Sequence, residues 1–80
     1  MGRPVIFEKG QVVEIIDQGN NEVIARVRVV KDLRSEIEVD GQGTKSSFAY
    51  VPDLEGWKLL FEGLGGERCT NPRGPSYTIR

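Results

Sequence analysis

The chain has 80 residues, 38% of them hydrophobic and 29% charged, with 11 Lys and Arg against 12 Asp and Glu and a formal net charge of −1. That is enough for one small domain spanning residues 1–80, with a thin core that buries about 60–65% of the unfolded surface, and near-neutrality excludes a general attraction to nucleic acid or anionic lipid. With no histidine and a lone cysteine, Cys69, the composition excludes Ser-His-Asp and Cys-His catalysis, His-ligated metals and an intramolecular disulfide.

The N-terminal "MGRPVIFEKG" holds an apolar run of three residues, too short for a signal peptide. No run anywhere approaches the ~20 residues of a membrane span. Gly2 would suit N-myristoylation, but that motif wants Ser or Thr where this chain has Ile6. A cytoplasmic location without a membrane partner is the expectation. Charge is balanced along the chain: residues 1–40 carry six basic and eight acidic groups, and residues 41–80 five and four. Neither half is a basic arm.

"QVVEIID" and "EVIARVRVV" are β-branched runs separated by "QGNN", which predicts a hairpin. Gly19, Asn20 and Asn21 tolerate the positive φ that tight loops require. If these three form the loop, with Asn21 left-handed, Glu14 lies opposite Arg26, Val13 opposite Val27 and Ile15 opposite Ala25. The next segment, "LRSEIEVD", alternates fully: Leu33, Ser35, Ile37 and Val39 share one face, and Arg34, Glu36, Glu38 and Asp40 the other. A turn at Val30-Lys31-Asp32 would set Arg26 opposite Glu36 and Ala25 opposite Ile37. A Glu14–Arg26–Glu36 row then crosses three strands, and Arg28 lies beside Arg34 without an acidic partner.

"DGQGT" at 40–44 predicts a turn and "KSSFAYV" at 45–51 a strand with Phe48 and Tyr50 on one side, ended by Pro52. "PDLEGWKLLFEGLGG" fits two patterns. As a short helix over 53–64 it has Asp53 as N-cap, a stripe of Leu54, Trp57, Leu60, Phe61 and Leu64, and Gly65-Gly66 as its stop. As a hairpin, "PDLEG" is the turn and "WKLLFEG" a strand in which Trp57, Leu59 and Phe61 alternate. Gly56 and Gly63 would each weaken the helix by roughly 1 kcal/mol, which favours the strand. The tail "ERCTNPRGPSYTIR" reads as a loop and a short final strand. The expected fold is mainly β: a small antiparallel barrel or roll of SH3-like or OB-like architecture with five or six short strands.

No segment carries recognisable catalytic chemistry. "GQGTKSS" has the flavour of a phosphate-binding loop, but Thr44 separates Gly43 from Lys45 and a strand follows where a helix is needed. Glu36, Glu38 and Asp40 line the wet face of a strand, and Asp53 and Glu55 lie in a turn. Neither set predicts the dry, concave setting of an acid–base pair. Cys69 has Arg68 and Arg73 nearby in sequence, yet no base or second thiol. The chain is therefore read as a non-enzyme without cofactor or metal.

Binding remains. A nucleic-acid reading would stack bases on Phe48 and Tyr50 and contact phosphate with Arg26, Arg28, Arg34 and Lys45. Glu14, Glu36 and Glu38 on the same face oppose it. The favoured reading is a binding or assembly module whose partner is another protein or a second copy. Its outward face would show Ile24, Arg26, Arg28 and Val30, with Val12 and Ile16 beside them, and arginine is a favoured contact residue. Arg28 and Arg34 are its leading contacts, and Arg73, in the rigid loop "NPRGP" at 71–75, is a further candidate.

Overall fold

The computed structural model describes residues 6–62 and 74–80. In chain order it forms β1 (Val12–Asp17), β2 (Val23–Asp32), β3 (Glu36–Gly41), β4 (Thr44–Val51), a 3-10 turn (Pro52–Leu54), β5 (Gly56–Glu62) and β6 (Tyr77–Ile79). Each strand pairs antiparallel with its sequence neighbour, and β6 returns to β1, so the sheet closes into a six-stranded barrel. Closure satisfies the backbone without the free edges of an open sheet. The seam is thin on one side: β5 and β6 share the pair Trp57 and Tyr77. It is firmer on the other, where β6 pairs with β1 from Ile15 to Asp17. There Glu14 and Arg80 exchange both backbone hydrogen bonds, at 2.8 and 3.1 Å.

The core follows from period-two alternation. Val13 and Ile15 of β1, Val29 of β2, Ile37 and Val39 of β3, Phe48 of β4, Trp57 of β5 and Ile79 of β6 all point inward, and Phe7 joins them from the N-terminal segment. Burying each such side chain contributes about 1.5–3 kcal/mol. Two edge-to-face ring pairs add directionality: Phe48 on Tyr77, centroids 5.7 Å apart, and Tyr50 on Trp57 at 5.1 Å.

The turn residues act as their types suggest. Asn21 takes φ +59° in the β1–β2 loop, where Asp17 Oδ1 accepts from the Gly19 N–H at 2.7 Å and Asn20 Oδ1 from the Glu22 N–H at 3.0 Å. Gln42 and Gly43 both have positive φ between β3 and β4, as a two-residue hairpin turn requires. After β4, Pro52 opens a single 3-10 turn and Glu55, at φ +48°, ends it. A helix over 53–64 does not form, because Trp57 and Leu59 alternate into the barrel against Tyr50 and Phe48.

The second hairpin differs from the expected one. The turn is not at Val30-Lys31-Asp32: β2 continues to Asp32, and Leu33, Arg34 and Ser35 make the connection. Asp32 is the reason. Its Oδ1 accepts from the Arg34 N–H at 2.8 Å, holding Arg34 at φ +74°, and its Oδ2 accepts from the Phe7 N–H at 2.9 Å. A bulge at Val30 makes the longer strand possible. Val29 pairs with Val39, but the ladder then resumes with Lys31 opposite Glu38 and Asp32 opposite Ile37. Without that extra residue the charged Lys31 would face inward opposite Ile37. The bulge switches its side.

Candidate functional site

The outward face of β1 and β2 is where the exposed chemistry collects. Ala25, Val27 and Val29 turn toward the core, so Ile24, Arg26 and Arg28 turn outward. On β1, Val12 and Glu14 share that face. Val12 lies opposite Arg28 and Glu14 opposite Arg26, the pairing expected from the sequence. The Arg26 guanidinium reaches the Glu14 carboxylate at 3.0 Å, with side chains 71% and 31% exposed. A pair so open to water contributes about 0–1 kcal/mol. Arg28 Nη1 donates to the Gly10 carbonyl at 3.0 Å, which anchors the guanidinium beside Val12.

A second bulge shapes the apolar part of the face. Ile15 pairs with Ala25, but Ile16 pairs with Val23, leaving Ile24 as the extra residue. Val23 therefore sits opposite the buried Ile16, next to the outward Ile24. They are 52% and 54% exposed, and Val12 is 51% exposed. These are three of the six large apolar side chains left exposed among the described residues, the others being Ile6, Leu33 and Leu54. Sequence reasoning missed Val23. Its signal was available: an uninterrupted register would set Val23 opposite Asp17, an apolar side chain against a charge. Ile16, expected beside this face as a contact, is only 3% exposed, and Val30 is half-buried at its bulge.

The three-strand row is overturned in its second half. Glu36 lies opposite Ala49 of β4, not opposite Arg26. Arg28 does not neighbour Arg34 either, because Arg28 lies opposite Asp40. Arg34 sits in the β2–β3 turn, past Asp32, which alone is roughly 13 Å of strand from Arg28. The row that does cross the outer surface runs Val12, Arg28, Asp40, Lys45 over four strands. Its charges alternate in sign, so the strands carry no like-charged pair at this level.

The residues of the nucleic-acid reading fall on different sides of the wall. Phe48 is 5% exposed in the core, Tyr50 is half-buried against Trp57, and Lys45 is exposed on the outside. Arg73 and Cys69 lie outside the described residues. Among the described residues no group of three or more His, Cys, Asp or Glu side chains is placed to hold a metal, and no helix is long and apolar enough to cross a membrane. No protein-family model, curated protein or solved structure matches the chain.

Proposed function

We propose that this chain is a non-catalytic binding or assembly module that docks another protein, or a copy of itself, through the outer face of β1 and β2. The observation that carries this reading is the adjacent pair Val23 and Ile24, each about half exposed, on a sheet face that also carries Arg26, Arg28 and, at its other end, the half-exposed Val12. Exposed aliphatic side chains on a face that also carries arginine suit a contact surface better than a plain solvated face. A rigid sheet loses little conformational freedom on docking, so a modest patch retains more of its binding energy. The chain has no histidine, and its carboxylates on this face are paired or solvated, which supports a binding role over a chemical one.

The test is comparative capture after nuclease treatment, with immobilised wild-type chain beside Ile24→Asp and Arg28→Glu. The reading expects a defined set of proteins retained by the wild type and lost by both variants, whose melting curves stay close to wild type. Identical retention by all three chains would remove this face from consideration.

A further inference from the structure

We infer that the occupant of this face is a second copy of the chain, packed face to face about a two-fold axis parallel to β1 and β2. The inference rests on the docking role proposed above and names its partner. The register carries it. On the outer face β1 presents Val12 and Glu14, and β2 presents Arg28 and Arg26 directly across from them, with Val23 and Ile24 one level further along. A two-fold axis between the strands and along them exchanges the β1 column of one copy with the β2 column of the other, without changing level. Arg26 of each copy is thereby set over Glu14 of the other. At the next level Val23 and Ile24 of each copy stand over the Ile16 position of the other. At the opposite level Val12 meets the stem of Arg28. An isologous interface must be complementary to itself, and this face meets that demand at all three levels.

A partner of pronounced acidity fits less well. Glu14 already neutralises Arg26 at 3.0 Å, and Arg28 stands opposite Asp40, so the face offers no surplus of positive charge. The chain's net charge of −1 sets up little repulsion between copies. A domain this small also gains most from burying further apolar surface.

Sedimentation velocity on the full chain, from about 1 to about 200 µM, tests this through mass action. The wild type is expected to reach twice the monomer mass. Glu14→Arg places two arginines on each copy, and Arg26→Glu two glutamates. Either change opposes like charges across the axis and weakens self-association more than about tenfold. Mixed together, the two variants should associate, because each arginine of one then meets a glutamate of the other. Ile24→Asp, whose side chain is exposed and whose fold is checked by circular dichroism, should be monomeric. A wild type that stays monomeric throughout overturns the second copy as occupant and leaves the docking face to the capture experiment. A dimer that survives all three substitutions overturns the face as well. Single variants that dissociate but fail to associate when mixed overturn the axis.

Discussion

Gly56→Ala gives a sharp test of how the barrel is held where β1 ends and β5 begins. Gly56 has no positive φ, so alanine fits its backbone. The difficulty is space: a Cβ would run into Gln18 Nε2 and stand 2.8 Å from Gln18 Cδ and Oε1. The Gln18 amide would have to leave, and with it three contacts, Nε2 donating to the carbonyls of Glu55 at 3.2 Å and Leu54 at 3.5 Å and to Thr78 Oγ1 at 3.3 Å. One amide with two N–H groups supports about two useful hydrogen bonds, each worth about 0.5–1.5 kcal/mol net. The loss is about 1–3 kcal/mol, against a gain of about 0.4–1 kcal/mol from restricting the unfolded chain. Gly56→Ala should therefore destabilise by about 1 kcal/mol, lowering the melting temperature by about 4–8 °C for a domain of this size. Gln18→Ala removes the obstacle. In that background the same Gly56→Ala should stabilise, because only the unfolded-state term remains. Urea denaturation of the four chains in a double-mutant cycle measures this reversal of sign. Equal destabilisation by Gly56→Ala in both backgrounds would refute the reasoning.

Glu55→Gly should stabilise by about 0.5–1 kcal/mol, since a non-glycine residue at φ +48° carries a steric cost that glycine escapes; thermal melting reads it. Asp32→Ala should cost about 2 kcal/mol or more, because two backbone donors lose a charged acceptor. Amide exchange at Phe7 and Arg34 should accelerate before that of the core strands. Arg26→Ala should shift stability by less than about 0.5 kcal/mol, its ion pair being so exposed, so any loss of binding in that variant reads contact rather than folding. Single-stranded DNA or RNA at low salt should leave the amide spectrum of the outer β1–β2 face unchanged. Shifts that vanish as salt rises would revive the nucleic-acid reading.

The parts of this fold legible in the sequence are those that rest on unbroken alternation and on residues that tolerate positive φ. "QVVEIID" against "EVIARVRVV" placed Glu14 opposite Arg26 because a shift by one would have mixed apolar and charged side chains on each face. "DGQGT" could be read as a turn because Asp40, Gly41 and Gly43 are turn formers. The strand at 56–62 was readable because Trp57 and Leu59 alternate and Gly56 disfavours a helix. The alternation of "LRSEIEVD" misled for a physical reason: Leu33 and Ser35 continue the pattern of Ile37 and Val39, yet Asp32 draws the chain into a turn before them by accepting from the Arg34 N–H. A side-chain-to-backbone bond outweighed two residues of pattern.

The turn decides which β3 charge meets Arg28, and the bulges decide which side chains of β2 face out. Reading β2 as an unbroken strand sends Lys31 and Val23 inward, against Ile37 and Asp17. One inserted residue at Ile24 removes the second conflict, and one at Val30 exchanges Lys31 for Asp32 opposite Ile37, where the Phe7 and Arg34 N–H groups satisfy the carboxylate. At Val30 the insertion returns Lys31 to water opposite Glu38 and carries β2 on to Asp32. The turn at residues 33–35 makes Asp40 the β3 partner of Arg28, which dissolves the apparent Arg28–Arg34 pair. At Ile24 the insertion puts two consecutive aliphatic side chains outside. The pair leaves aliphatic surface in water, and a bulge that re-aims side chains outward is the kind of feature found beside binding sites. The basic character of "VIARVRVV" therefore explains less than its aliphatic residues do. Arg26 is matched by Glu14 within the chain, whereas Val23 and Ile24 have no comparable answer in the described barrel, and a surface that answers them must bring apolar atoms of its own.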